Sequence, residues 1–429
     1  MTFKPYDQDQ LYLLPPSLRE WLPRNHLAHF ISDVVDELAL DAIMRAYSDD
    51  DRGQPPYHPA MMVKILLYAY CAGTPSSRKI ERKTHEDVAF RFLAAGHHPD
   101  HDTIASFRKT HLHAMRDLFL QVLVLCREAG LVRAGHVSLD GTKVKANASK
   151  HKAMSYARMT DKEKELEREV KRLLEEAEAV DAEEDRLYGK GVRGDELPEE
   201  LGFREARLRK IREAKKRLEE RAKKATGNDP KPKDQINFTD PESRIMKDSA
   251  TKEFIQGYNA QCAVDDTAQV IIAASVTTEA NDKRQVEPMI VMIEENLGSL
   301  PKELSADAGY FSEENIARLH AQGIKAFIPP DRLRHTDPVA LSVRGRIPKD
   351  LSLKDRMRRL LRTKKGRSSY AKRKVTVEPV FGQMKEARGL RRFLLRGLEK
   401  VTSEWQIICL THNLLKLYRW KTAETQVCS

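Results

Sequence analysis

From His136 onward the chain alternates between strand-like and helix-like stretches, and that order is its tightest constraint. HVSLDGTKVKA (136–146) sets Val, Leu and Val among small polar residues, as a strand does. Strand signals resume at QGYNAQCAV (256–264), where Tyr258, Ala260, Cys262 and Val264 recur at period two. Asp265–Gln269 turns the chain and Val270–Thr277 runs back, a predicted hairpin. An amphipathic helix is expected over Arg284–Leu297 and a short strand over Glu303–Asp307. The helix SEENIARLHAQG follows, capped by Ser312 and closed by Gly323. Lys325–Pro329 reads as a further strand, and the remainder as helical and basic.

Between the first two strands lies a charge-rich tract over 152–225. Leu166, Val170, Leu173, Ala177 and Val180 follow a 4-3-4-3 heptad spacing, and Leu208, Ile211, Leu218 and Ala222 repeat it less cleanly. The glycine-rich stretch Tyr188–Gly202 separates the two runs, so a helical hairpin is predicted, followed by a polar linker over Thr226–Asn237. With this insertion set aside, the order is strand, strand, strand, helix, strand, helix, strand, helix. Three antiparallel strands followed by crossovers that put helices on the sheet faces make an α/β, RNase H-like mixed sheet with flanking helices.

A chain of 429 residues is too long for one ordinary core. The expected units are an all-α N-terminal domain over 1–135, an RNase H-like domain over 136–420, the helical-hairpin insertion at 152–235 within it, and a tail at 421–429. In the N-terminal part, His26–Tyr47, Pro59–Ala72, Ser76–Ala95 and Asp102–Gly130 carry apolar residues at helical spacing. Pro15-Pro16, Gly53–Pro56, Gly73–Pro75 and Gly96–Pro99 punctuate them, and Thr103 is the expected cap of the fourth. Such helices suit a helix-turn-helix reader of DNA or a plain bundle, and the spacing leaves both open.

No run of 18 apolar residues occurs, so no membrane span is expected. The first residues lack the basic and apolar regions of a secretory signal, which predicts a cytoplasmic protein. Cys71, Cys126, Cys262, Cys409 and Cys428 are scattered with no CxxC pair, as expected of reduced, mostly buried thiols and not of a disulfide or zinc framework. His97, His98 and His101 cluster without a second ligand pair and read as a solvated loop. Net charge is +11, and its distribution is uneven: 341–400 alone holds 20 Lys plus Arg against 5 Asp plus Glu. A basic block of this kind is the footprint of a phosphate-backbone binder.

Three acids stand out. Asp140 interrupts the apolar strand VSLDG, where a carboxylate is costly to bury unless paired or metal-bound. Asp307 ends the strand ELSAD, at the carboxyl end where sites gather in open α/β sheets. Glu378 lies in VTVEPVFGQMK directly after the densest basic run, with Pro379 expected in the first turn of a helix. Isolated carboxylates at strand ends suit hard divalent cations, and a pair of such ions can drive in-line displacement at a phosphodiester.

Several phrases carry a resemblance. FKPYDQDQLYLLPPSLREWLPRNHLAHFI, SSRKIERKTHEDVAFRFLA and PDHDTIASFR resemble the N-terminal part of bacterial insertion-sequence transposases of the DDE class. VSLDGTKVKANAS, LSADAGYFSEENI and VEPVFGQMKEARGLRRFLLRG with WQIICLTHNLLKL resemble their three acidic regions. The resemblance covers nearly the whole chain and implies that Asp140, Asp307 and Glu378 are catalytic and bind two Mg²⁺ ions, with Mn²⁺ as substitute.

Within that group a signature runs Tyr, two residues, Arg, three residues, Glu, six residues, Lys. Tyr370, Arg373, Glu378 and Lys385 match in order, but Arg373 to Glu378 holds one residue too many, so Lys374 is an alternative for the Arg role. Tyr370, Arg373, Lys374, Lys385, Arg388, Arg391 and Arg392 are the expected DNA contacts. The resemblance further implies cleavage at element ends and joining of the 3′-OH to target DNA, with double-stranded DNA carrying terminal inverted repeats as partner, a homo-oligomer on that DNA, and a nucleoid-associated location. The alternatives are a metal-dependent nuclease that does not transpose and a catalytically silent DNA-binding regulator. Trp405, Ile408, Leu410 and Leu414 are expected in the core.

Overall fold

The computed structural model describes residues 17–47, 55–188, 199–248, 251–331, 345 and 351–427. The opening phrase up to Pro16, Pro15-Pro16 included, Gly53, most of the loop expected after Tyr188, the start of the basic block and Cys428 lie outside the described residues, as do the side chains of Ala177 and Val180.

The N-terminal part is helical, but three of the four expected helices are each divided in two. The first becomes α1 (Leu27–Glu37) and α2 (Asp41–Met44). Leu38 is extended between them, and the next residue is pinned from a distance: Ala39 N–H donates to Gln121 Oε1 at 2.8 Å, and Gln121 Nε2 donates back to the Ala39 carbonyl at 3.1 Å. After α3 (Pro59–Cys71), the second division gives α4 (Ser77–Glu86) and α5 (Val88–Leu93). Extended Asp87 separates them and caps the latter by accepting from the amides of Ala89 and Phe90. The third gives α6 (His101–Thr110) and α7 (Leu112–Glu128), parted at His111, whose ring packs on Phe107 and Tyr47. Asp100, not Thr103, caps α6: its carboxylate accepts from the Thr103 amide at 2.7 Å and from the Thr103 hydroxyl at 2.9 Å. A carboxylate at that position is the stronger acceptor for the first-turn amides.

The sheet forms around β1 (His136–Lys145). The inserted tract follows it, with β2 (Ala153–Ser155), α8 (Tyr156–Tyr188), α9 (Glu199–Thr226) and β3 (Gln235–Asn237). The two long helices enclose a separate small core of Met159, Leu166, Leu208, Ile211, Ala214, Leu218 and Ile236. The expected linker thus ends in a strand, which pairs antiparallel with β2 and closes the base of the insertion.

The sheet resumes with β4 (Arg244–Lys247), β5 (Phe254–Asp265) and β6 (Ile271–Thr277), continues through α10 (Val286–Leu297) to β7 (Glu303–Ala306), then through α11 (Glu313–Ala321) to β8 (Lys325–Phe327). β5 runs antiparallel to β1 on one side, while β7 runs parallel to β1 on the other and β8 parallel to β7. β6 and β4 both pair antiparallel with β5. The order β6–β5–β1–β7–β8 buries β1 centrally. Ser312 caps α11 by accepting from the Asn315 amide.

The basic C-terminal part holds α12 (Leu353–Arg362), α13 (Lys364–Thr376), α14 (Glu378–Gly382), one π-helical turn over Gln383–Ala387, and α15 (Leu398–Val427). α15 continues through the stretch expected as a tail. It packs on β6 and on α3 and α7, so the N-terminal helices and the sheet share one hydrophobic cluster across the expected boundary at 135. Trp405, Ile408, Leu410 and Leu414 are buried in it. Cys71, Cys126, Cys262 and Cys409 are free and buried. Among the described residues no helix is long and apolar enough to cross a membrane.

Candidate active site

The parallel pairing of β1 with β7 runs from His136 opposite Glu303 to Leu139 opposite Ala306. One step further along both strands come Asp140 and Asp307, so the register sets the two acids side by side. Asp140 Oδ1 accepts from the Gly141 amide at 2.9 Å. Asp307 ends its strand and caps a short 3₁₀ turn, its Oδ1 accepting from the Gly309 amide at 2.7 Å. A β-carbon at Gly309 would stand 2.9 Å from that same oxygen, so the turn needs glycine to come this close.

Glu378 comes from the opposite side. Thr376 ends α13, Val377 bends the chain, and Glu378 opens α14 with Pro379 in the first turn, as its fixed φ favours. Arg373, on the last turn of α13, joins the two sides. One guanidinium nitrogen donates to Asp140 Oδ2 at 2.7 Å and the other to Glu378 Oε1 at 3.0 Å. Of the two candidates for the arginine role, Arg373 is largely buried among the acids and Lys374 is exposed.

Burial pushes the Asp140 carboxyl up to about 7; Arg373 opposes the rise, and nearby Asp307 and Asp282 add to it. A buried carboxylate favours its charged form only when a cation stands close, and Arg373 supplies one. Tyr370, half-buried on α13, is pushed up by burial, and Arg373 beside it opposes that shift as well.

Asp282 escaped the reading of the sequence. Its carboxylate accepts from Asn259 Nδ2 at 2.6 Å and Gln261 Nε2 at 2.9 Å and lies 3.7 Å from Lys143 Nζ. Tyr310, fully buried, donates its hydroxyl to Gln261 Oε1. The readable signal was NAQ within β5: Asn259 and Gln261 recur at period two in a strand buried on both faces, where polar side chains need partners.

The remaining expected DNA contacts divide. Lys385 Nζ donates to the Lys143 carbonyl at 2.8 Å. Arg388 is buried, with its guanidinium donating to Thr411 Oγ1 at 2.9 Å and to the Ile408 carbonyl, so it braces α15 and presents no surface to a duplex. Arg391 is exposed and paired with Glu386, and Arg392 is exposed. Part of the basic block is neutralised within the fold, as in Lys372 with Asp266 and Arg358 with Asp331.

The three acids and Asp282 offer only oxygen donors, the type hard divalent cations take. A guanidinium already draws two of them together. As the side chains stand, no group of three His, Cys, Asp or Glu residues among those described is close enough to hold a metal ion. The same holds for the His97, His98 and His101 cluster, where His98 stacks on His85 and His101 pairs with Glu81.

Two family models match the chain. One, described as Transposase domain (DUF772), matches residues 16–110, and the other, described as Transposase DDE domain, matches residues 210–414. The second span holds Asp282, Asp307 and Glu378 and begins after Asp140. No curated protein and no solved structure gives a match.

Proposed function

The chain belongs to the DDE transposases of insertion sequences, and from that premise we propose that it cuts DNA at the ends of its element and joins the freed 3′-OH to target DNA, with Asp140, Asp307 and Glu378 as the catalytic acids. The observation that carries this reading is the convergence of the three: Asp140 and Asp307 at adjacent places on neighbouring parallel strands, and Glu378 tied to Asp140 through Arg373. The strand order, with three antiparallel strands and then two parallel ones, supports an RNase H-like catalytic unit.

The acids would hold divalent cations, Mg²⁺ or Mn²⁺, which when bound activate the attacking oxygen and neutralise charge on the phosphate. The chain's own residues do the rest. Burial of Asp140 keeps bulk water from its carboxylate. Arg373, bonded to two acids, has a guanidinium fork of the kind that engages phosphate oxygens, and it lies where the scissile phosphate would approach. Lys374, Arg391 and Arg392 are exposed, and cations so placed attract a phosphate backbone. Tyr370 stands beside Arg373 and orients it. The N-terminal helices take part in recognising the terminal repeats, while Leu166, Leu208, Ile211 and Leu218 of the α8–α9 hairpin pack against one another within the chain.

The test is incubation of the purified protein with Mg²⁺ or Mn²⁺ and the DNA flanking its own gene, beside Asp307→Asn. Metal-dependent cleavage and 3′-end joining by the wild type, lost in the variant, supports the proposal. Cleavage without joining points to a nuclease. Specific DNA binding without cleavage in a folded sample overturns the catalytic assignment.

A further inference from the structure

The far end of β1 opens into a cleft of about 580 Å³. Lys145 lies five residues beyond Asp140, roughly 17 Å along an extended strand. Residues 391–393 pair with this end of β1: the Lys145 amide donates to the Arg391 carbonyl at 3.2 Å, and the Phe393 amide donates to the Lys145 carbonyl at 2.9 Å. The wall is fixed further by Asn147 Nδ2 donating to the Leu394 carbonyl at 2.7 Å and Arg396 Nε donating to the Asn147 carbonyl at 2.9 Å.

Three features of the lining point to one ligand. Lys145, Lys150, Lys152, Arg392 and Arg396 face a single carboxylate, Glu253, which makes the cleft strongly cationic. Phe254, at the start of β5, is 63% exposed in that setting, an aromatic face that no part of the described chain covers. Gln256, two residues on and so on the same side of the strand, is only 5% exposed; its Nε2 donates to Ser243 Oγ at 2.7 Å, and its Oε1 has no partner. A buried acceptor left without a donor is costly unless a ligand supplies one.

A polyanion alone would explain the cations but not the ring or the acceptor. A duplex presents phosphates while its base faces stay stacked inside. An unpaired nucleotide presents all three complements: phosphate for the Lys and Arg side chains, a π-face for Phe254, and a base N–H for Gln256 Oε1. We propose that this cleft binds an unpaired stretch of DNA strand leading away from the acids, with one base stacked on Phe254 and the flanking phosphates held by Lys145, Arg392 and Arg396. The inference rests on the reading of the acids as a DNA-processing site, which supplies a reason for a strand to run this way.

The test uses the full chain and a short single-stranded deoxyoligonucleotide carrying 2-aminopurine, whose fluorescence is quenched on stacking. The expected result is quenching by the wild type, with Phe254→Ala abolishing it and weakening single-strand binding by about tenfold, and Phe254→Trp retaining both. Gln256 is buried, so the exposed Phe254 is the safer position to vary. If Phe254→Ala binds the oligonucleotide as tightly as the wild type, or if a blunt duplex of equal length binds as well and competes fully, the proposal is overturned and the cleft is only a cationic surface. The two readings fail separately. Metal-dependent cleavage of flanking DNA without quenching defeats the cleft alone, and quenching dependent on Phe254 without any cleavage defeats the catalytic assignment alone.

Discussion

Arg373 donates to the Asp140 carboxylate at 2.7 Å, joining two residues 233 positions apart, each largely buried. The helix that follows Arg373 carries Glu378, so this contact fixes where the third acid stands relative to β1. Removing the guanidinium leaves a desolvated carboxylate without its cation, which costs about 3 kcal/mol for a buried pair. Arg373→Ala is expected to lose about that much in urea unfolding. Asp140→Asn in the Arg373→Ala background should recover part of it, because the amide needs no counter-charge. A double-mutant coupling near zero would show that the two side chains do not stabilise each other. Arg373→Lys is expected to fall between, since an ammonium lacks the fork that reaches both acids.

His412 gives the chain a pH dependence of defined sign. It is fully buried on α15, with Nε2 2.9 Å from the Gln269 carbonyl, and burial lowers its pKa to about 3, helped by Arg388, Lys416 and Arg419. In the unfolded chain the imidazole protonates near 6.5. Between those values the unfolded state takes up a proton that the folded state refuses, so this group's contribution to stability is present above about 6.5 and is lost as pH falls toward 3. His412→Gln, which can still donate to the Gln269 carbonyl, should show a smaller drop in Tm from pH 7.5 to pH 4.5 than the wild type. Equal drops would remove His412 as the cause.

How far these features could be read from the sequence depends on whether their causes are local. The strands β1, β5, β6, β7 and β8 lie within a residue or two of where period-two patterning and turn residues put them, because both signals reside in a few adjacent positions. The three candidate acids stand out in the sequence for a similar reason, each being a charge set in an apolar or strand-end phrase. The helix breaks divide by cause. Asp87 is a local cap, whereas the extended stretch after α1 depends on Gln121, 82 residues away. Asp282 was invisible because it sits in the polar phrase EANDKRQ, and only the fold brings it to Asn259 and Gln261. Arg388 misled in the opposite direction: a cation within a basic block reads as surface, yet the turn after Glu378 carries it inward to Thr411.

Glu404 is a second buried acid, away from the site, and it holds the wall of the cleft. Its carboxylate accepts from the Leu394 amide at 3.0 Å, the Leu395 amide at 2.9 Å and the Tyr70 hydroxyl at 3.3 Å; Arg108 in turn donates to that hydroxyl. Burial raises its pKa, and Arg108 and the two amides oppose the rise. Glu404→Ala strands several donors at once and should destabilise the chain by about 3–5 kcal/mol. Glu404→Gln keeps an acceptor and should cost about half as much. Amide hydrogen exchange at Leu394 and Leu395 should quicken in both, more in the alanine variant. Unchanged exchange would mean that the loop is held by its pairing with β1 alone.

Gly73 tests whether the N-terminal helices and the sheet unfold as one body. It adopts φ +68°, and a β-carbon there would lie 2.5 Å from the Arg388 carbonyl oxygen, a backbone atom that cannot rotate away. Gly96 adopts φ +76° with nothing within 4 Å of the added carbon. Both substitutions to Ala incur the cost of the left-handed conformation, about 1–2 kcal/mol. Only Gly73→Ala also forces α3 away from the segment after Glu378. Gly96→Ala is therefore expected to lose about 1 kcal/mol with a single unfolding transition. Gly73→Ala should lose at least 2 kcal/mol more, in line with overpacking of a tight contact. If Gly73→Ala instead splits unfolding into two transitions, the contact at Arg388 is what couples the helices to the sheet. Equal losses for the two variants would mean that the chain relieves the clash by local movement and that this contact contributes nothing to the coupling.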